Sequence, residues 1–174
     1  MSAGTGSAGN GVAPRIELRP ATLADIDAMW ALRTRCVREV CRSHYPPAVI
    51  EAWAASPAPA TYPQLIASGG AVLAEDAGDR LLGFGMVDLA GSEIDGLFVA
   101  PEAQGTGLGG RLLRALEAKL PAATRIHLAA ALNAVAFYSA QGYTVLQQGS
   151  YAHPSGMALD CVYMEKLAAA ASSA

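Results

Sequence analysis

Gln104-Gly105-Thr106-Gly107-Leu108-Gly109 follows an apolar, strand-like run and opens a strongly amphipathic helix. Glycines at alternate positions admit backbone conformations closed to other residues and let a ligand approach the main chain with no Cβ in the way. The first turn of a helix carries unpaired N–H groups and the positive end of the helix dipole, so this stretch reads as a phosphate site that needs no dedicated lysine or metal. A P-loop would place Lys-Ser or Lys-Thr after the last glycine, where this chain has Gly110-Arg111-Leu112, which argues against Walker-type nucleotide hydrolysis. A dinucleotide-binding Rossmann site would carry an acidic residue about twenty positions further on. From Leu128 to Leu132 the chain is apolar instead.

Outward from the loop, Glu93 to Val99, Leu81 to Leu89 and Ala71 to Glu75 read as strands, separated by the turn signals Ala90-Gly91-Ser92 and Asp76-Ala77-Gly78-Asp79. Leu108, Leu112, Leu113, Leu116 and Leu120 line one side of a helix from about Gly107 to Lys119, which Pro121 ends. Beyond it the pattern predicts a buried strand from Arg125 to Ala130 and a helix from Ala134 to Gln141 closed by Gly142. A hairpin of Tyr143 to Tyr151 and Leu159 to Lys166 completes the chain. On the N-terminal side, Ile16 to Arg19 is a short strand. Thr22 and Asp25 form a capping-box-like start, and the apolar spacing of Leu23, Ile26, Met29, Trp30, Val37 and Val40 predicts one long helix to about Arg42. Pro47 suits the first position of a helix reaching about Ala55, and Tyr62 to Ser68 is another short one. The alternation of strands and helices predicts a mixed α/β sheet.

At 174 residues the chain suits one domain. Met1 to Pro14 is Gly/Ser/Ala-rich and reads as a flexible tail rather than a signal peptide, with residues 15–167 the folded domain and residues 168–174 a second flexible tail. A formal charge of −3 argues against nucleic acid or an anionic membrane as partner, so any phosphate affinity is local. No run approaches the roughly eighteen apolar residues that span a bilayer. Cys36, Cys41 and Cys161 lack C-x-x-C spacing and read as buried reduced thiols of a cytoplasmic protein, a nucleophilic cysteine being the sharper alternative. His44, His127 and His153 are far apart in sequence and show no metal-ligand spacing, so no metal is expected. His127, in an apolar strand, reads as a core histidine.

Two separated blocks narrow the ligand. Leu97-Phe98-Val99-Ala100-Pro101-Glu102-Ala103, running into the glycine loop, resembles the L-x-V-x-P-x-x-[QR]-x-x-G-x-G pyrophosphate loop of the GNAT superfamily of acetyl-CoA-dependent N-acetyltransferases. Asn133-Ala134-Val135-Ala136-Phe137-Tyr138-Ser139-Ala140-Gln141-Gly142-Tyr143 resembles that superfamily's N-x-x-A-x-x-F-Y-x-x-x-G-[FY] segment. A looser likeness, of Cys41-Arg42-Ser43-His44-Tyr45-Pro46 with Trp53-Ala54, points to small stand-alone bacterial proteins of the YafP type.

The resemblance implies a GNAT fold, mostly antiparallel and flanked by helices, with acetyl-CoA as co-substrate. It implies that the strand before the glycine loop splays from its neighbour. Backbone groups of Leu97, Phe98 and Val99 then pair with the pantetheine arm, and Gln104, Gly105, Thr106, Gly107, Leu108 and Gly109 hold the pyrophosphate. Tyr138 takes the place of the tyrosine that protonates the departing thiolate, and Asn133 caps the following helix and reaches the cofactor. For the general base the leading candidate is Glu93, eleven residues before Gln104, where some histone-acetylating relatives carry a glutamate. Asp95, on the same face by alternation, is its competitor and the residue that YafP-type relatives keep. Both also read as hairpin-edge carboxylates. His44, Tyr45 and Trp53 sit at the helix break that roofs the acceptor pocket in the family.

These residues predict direct acetyl transfer to a primary amine in a ternary complex. The mildly acidic chain favours a small cationic or aromatic amine over a protein or peptide amine. A non-catalytic acyl-CoA-binding sensor is the alternative; it would keep the loop and lose the acid and base, whereas Tyr138, Glu93 and Asp95 are all present. A homodimer joined at the closing hairpin is plausible for the family.

Overall fold

A computed structural model describes residues 15–153 and 156–169. The strands are β1 Glu17–Pro20, β2 Ala71–Glu75, β3 Leu81–Asp88, β4 Glu93–Val99, β5 Arg125–Ala131, β6 Thr144–Ala152 and β7 Ala158–Leu167. The helices are α1 Ile26–Glu39, α2 Pro47–Ala54, α3 Thr61–Ala67, α4 Leu108–Glu117 and α5 Val135–Ala140. The strands form one sheet in the order β1-β2-β3-β4-β5-β7-β6, antiparallel throughout except between β4 and β5. This is the mixed α/β sheet that the sequence pattern predicts, mostly antiparallel and flanked by helices as the family resemblance implies. The tail expected at Met1 to Pro14 lies outside the described residues, as does the chain from Ala170. Ala168 is buried, and its N–H donates to Thr124 O at 2.7 Å, so packing extends at least that far.

Two features of the central strands set up the site. Gly83 and Gly85 of β3 face α4: a Cβ on either would meet Leu112 Cδ1 at 2.9 Å or Leu116 Cδ1 at 2.6 Å, so their absent side chains let the leucine stripe lie directly on the sheet. Phe84 and Met86 alternate with them and fill the other face, beneath α1 and α3. The register between β3 and β4 then shifts, from Met86↔Gly96 to Val87↔Ile94, leaving Asp95 as the extra residue of a β-bulge.

The sheet nearly divides between β4 and β5. Their register consists of the single pair Glu93↔His127, with the His127 N–H donating to Ser92 O at 3.0 Å. Beyond that point the strands part. Elsewhere local chemistry holds the frame. The Thr22 N–H donates to Asp25 Oδ2 at 2.7 Å, and Arg19 bridges Asp25 and Glu75 at 2.9 and 2.6 Å, pinning β1 to β2 and to the start of α1.

The single helix expected from Thr22 to about Arg42 is three pieces: a 3-10 turn at Leu23–Asp25, then α1, then a second 3-10 turn at Cys41–Ser43. The second, tighter turn carries Cys41 into a satellite cluster with Val37, Tyr45, Ile50 and Ala54, a long-range packing choice that outweighs continued helical spacing.

Candidate acyl-transfer cleft

A cleft of about 830 Å3 follows the parting of β4 and β5 from the glycine loop to the roof formed by α1, α2 and α3. At its loop end, Gly105 and Gly107 adopt φ of +74° and +83°, with nothing within 4 Å of where a Cβ would stand. They are required for backbone conformation rather than for space. Gly109 differs: a Cβ there would press on Phe137 at 3.1 Å. Gly107 caps α4, and the first helical bond runs from Arg111 N to Gly107 O at 3.2 Å, leaving the amides of the preceding turn without partners in the helix. Gln104, Leu108, Gly110 and the exposed Arg114 complete this end. Thr106 lies outside the lining, its hydroxyl donating to Ala103 O at 2.6 Å.

The strand edge beside the gap is partly free. Ala100 N–H donates to Leu82 O in β3, so by alternation the peptide groups of Phe98 also face β3, while those of Leu97 and Val99 face the gap. The Val99 carbonyl accepts from Gln104 Nε2 at 2.8 Å and Cys36 Sγ at 3.2 Å. Of the strand positions expected to meet a pantetheine arm, Leu97 and Val99 therefore present main-chain groups to the cleft; Phe98 spends its own on the sheet and stacks its ring near Phe84.

Across the gap, Tyr138 of α5 is buried with its ring edge-on to Phe137 and Tyr143. Burial raises its pKa well above the usual phenol value, so the hydroxyl keeps its proton at neutral pH. Among the described residues that hydroxyl makes no hydrogen bond, and it borders the cleft. Asn133 does not cap α5. It sits inside the 3-10 turn Leu132–Ala134, which runs straight into the helix, and Ala134 occupies the cap position. Among the described residues its Oδ1, buried in the cleft wall, has no hydrogen-bond partner and stands open to an incoming donor.

Glu93 and Asp95 both border the cleft and, with Asp88, a side recess beneath α3 that Thr61, Gln64 and Ser68 complete. The bulge gives them different settings. Glu93 is the exposed first residue of β4. Asp95, the extra residue of the bulge, is exposed as well, yet its pKa is raised, by desolvation first and then by the charges of Glu93 and Asp88.

The roof holds two of the three residues expected there. Tyr45 and Trp53 meet edge-on at 5.4 Å and border the cleft. The Tyr45 hydroxyl donates to Asp160 O at 2.7 Å and accepts from Leu132 N–H at 2.9 Å, tying the α1–α2 connection to β7 and to the turn before α5. His44 is exposed, its ring beside Ser43 Oγ, and is not part of the lining. His127 is exposed on β5 and so is not a core histidine, whereas His153 reaches the cleft from the closing hairpin.

The cysteines are buried, with burial pushing the thiol pKa of Cys36 up to about 12 and of Cys41 up to about 11, which removes the thiolate needed for nucleophilic attack at neutral pH. Among the described residues no group of His, Cys, Asp and Glu is arranged to hold a metal, and no helix is long and apolar enough to cross a membrane. Sequence reasoning missed Arg33 and Arg114. Arg33 is spaced four residues from both Met29 and Val37, an arginine on an apolar stripe, and that was the available signal.

Comparison with known proteins agrees with this geometry. The family model for the acetyltransferase (GNAT) domain matches residues 41–158. Among solved structures, a GCN5-related N-acetyltransferase from Rhodopseudomonas palustris superposes with a TM-score of 0.72 at 24% identity, covering 88% of this chain and 95% of its own. The PaiA N-acetyltransferase of Thermoplasma acidophilum, solved with coenzyme A, gives 0.65 at 20% identity, with 88% and 99% covered. The ribosomal-protein-S18-alanine N-acetyltransferase of Escherichia coli gives 0.61 at 17%, with 91% and 97% covered. At these identities the structural likeness speaks to the fold. No curated protein matches the sequence. The family model identifies the superfamily and not the narrower YafP type, and on that match the chain belongs to the GNAT acetyltransferases.

Proposed function

We propose that this protein transfers acetyl from acetyl-CoA directly to the primary amine of a small molecule, with both substrates held in the cleft between β4 and β5. The observation that carries the reading is the coincidence, along one cleft, of a helix-capping glycine loop, a free strand edge and a buried protonated tyrosine. The unpartnered Asn133 Oδ1 supports the fit, since the amide-rich arm of coenzyme A supplies N–H donors. Free amides of the α4 first turn receive the pyrophosphate, with Arg114 adding a cation at that end.

Asp95 takes the proton from the acceptor ammonium, its raised pKa making it a better base than an ordinary aspartate. Glu93 is the flanking charge that holds that pKa up. The Val99 N–H faces the acyl oxygen as charge builds on it, and Tyr138 gives its proton to the sulfur as the C–S bond breaks and the C–N bond forms. Placing the acceptor and the thioester in line supplies much of the remaining barrier reduction. Tyr45 and Trp53 form the acceptor wall, which His44 does not reach.

Buried reduced thiols suit a cytoplasmic setting. A homodimer through the closing hairpin draws support from the exposed Val145, Leu146 and Tyr151 on the edge strand β6. The enzymatic reading is tested by thiol release with a panel of amines: at least one amine is expected to raise coenzyme A production well above background hydrolysis. If none does while acetyl-CoA still binds, the protein is an acyl-CoA sensor instead.

A further inference from the structure

Arg33 lies in the cleft wall at only 3% exposure. Its guanidinium stacks over the Trp30 ring at 4.3 Å and approaches Trp53 at 5.8 Å. It donates through Nη1 to Trp53 O at 2.9 Å and through Nη2 to Ser56 Oγ at 3.2 Å, with His153 Nε2 3.5 Å from Nη2. None of these partners is a carboxylate. Among the described residues Arg33 enters no ion pair, and the residues outside that range include no Asp or Glu. A buried cation held only by aromatic faces and neutral acceptors recovers part of its lost hydration, and the guanidinium fork keeps N–H groups beyond the contacts described. The residue is thus a desolvated positive charge at the edge of a cavity, built to accept an anion.

The opposite sign lies nearby. Tyr62, buried at 4% exposure and edge-on to Trp30, is within electrostatic reach of both Asp95 and Arg33, which act on its hydroxyl in opposite senses. That hydroxyl borders the cleft and makes no hydrogen bond among the described residues. The acceptor end therefore offers a negative charge at Asp95, a positive charge at Arg33, and the Tyr62 phenol within electrostatic reach of both. A polyamine would press a second ammonium toward Arg33, and a plain aromatic amine would leave the guanidinium without an anion. A molecule carrying both an amine and an acid matches both charges.

We propose that the acceptor is an amine bearing a carboxylate, with Arg33 and Tyr62 receiving the carboxylate while Asp95 faces the amine. This rests on the reading of the cleft as an acetyl-transfer site, and it replaces the cationic amine that net charge alone suggests.

The test uses the full chain, acetyl-CoA and matched triplets of acceptor: an amino acid, its carboxamide and its decarboxylated amine, across side chains from glycine to tryptophan, read by thiol release and mass. For the accepted side chain, kcat/KM for the acid is expected to exceed that for the amide by about tenfold or more, the scale of a charge-assisted hydrogen bond. Arg33→Gln is expected to bring that ratio close to unity, and Arg33→Lys to restore part of it. Should Arg33→Gln not fold, the wild-type ratio and a rise in KM for the acid alone in Arg33→Lys decide the matter. Acetylation of acid-free amines in preference to acids, or a ratio indifferent to Arg33, overturns the proposal and leaves the acetyltransferase reading standing. Acetylation of none of the compounds while acetyl-CoA binds overturns both.

Discussion

Asp95 owes its assigned role to a backbone accident of one residue. Inserted opposite the Met86–Val87 peptide, it lines the cleft beside Glu93 and Asp88, where partial desolvation and like charge together raise its pKa although the residue stays exposed. A base acts only when deprotonated, so kcat/KM falls as pH drops through that pKa. Asp95→Asn is expected to reduce kcat/KM by about a hundredfold or more and to abolish the acid limb of the profile. Glu93→Gln removes a charge that raises the Asp95 pKa, so its acid limb moves to lower pH while activity above the limb persists. A pH profile in which Glu93→Gln is the inactive variant reverses the assignment. Both carboxylates were legible in the sequence as candidates. Their ranking was not, because a bulge is a property of register against a partner strand, and alternation along β4 alone assumes that no residue is extra. Asn133 illustrates the same limit, since the spacing that suggests a helix cap cannot distinguish the cap from a preceding 3-10 turn.

Elements were read most securely where local chemistry and long-range packing agree. The glycine-opened leucine stripe of α4, the strands flanked by turn signals and Pro47 opening α2 all stand where the pattern puts them. The break after α1 was hidden, because the satellite cluster that claims Cys41 is assembled from residues up to Ala54. Glycines carry information about packing that a sequence cannot display. Gly70, between α3 and β2, donates to Leu65 O at 2.9 Å and accepts from Val87 N–H at 2.8 Å, and a Cβ there would stand 2.2 Å from Val87 O. The obstacle is backbone, so no rotamer change relieves it. Gly70→Ala is expected to cost about 2–3 kcal/mol, at the upper end of ordinary overpacking, measured as a lower denaturation midpoint with unchanged slope. A midpoint equal to wild type would mean that α3 shifts freely against the sheet.

At the scale of the whole molecule, the sheet acts as a device with one open seam. β1 to β4 form one half and β5 to β7 the other, joined across Glu93 and His127 and parted from there toward the glycine loop. On the proposed reading, a ligand gripped at the loop is laid along the seam, with its far end at Tyr138 and the roof. Phosphate affinity and acyl transfer are on that reading linked through distance along one cleft. The glycine loop was legible as a candidate anchor, whereas the seam depends on strands more than twenty-five residues apart in sequence, Val99 and Arg125 onward. Gly107 is where the account is most exposed, since its φ of +83° sets both the turn and the first free amides of α4. Calorimetric titration of acetyl-CoA into wild type and Gly107→Val, each checked for folding by circular dichroism, tests this directly. The account predicts that the folded variant binds at least about tenfold more weakly; equal affinity in the two proteins would contradict it.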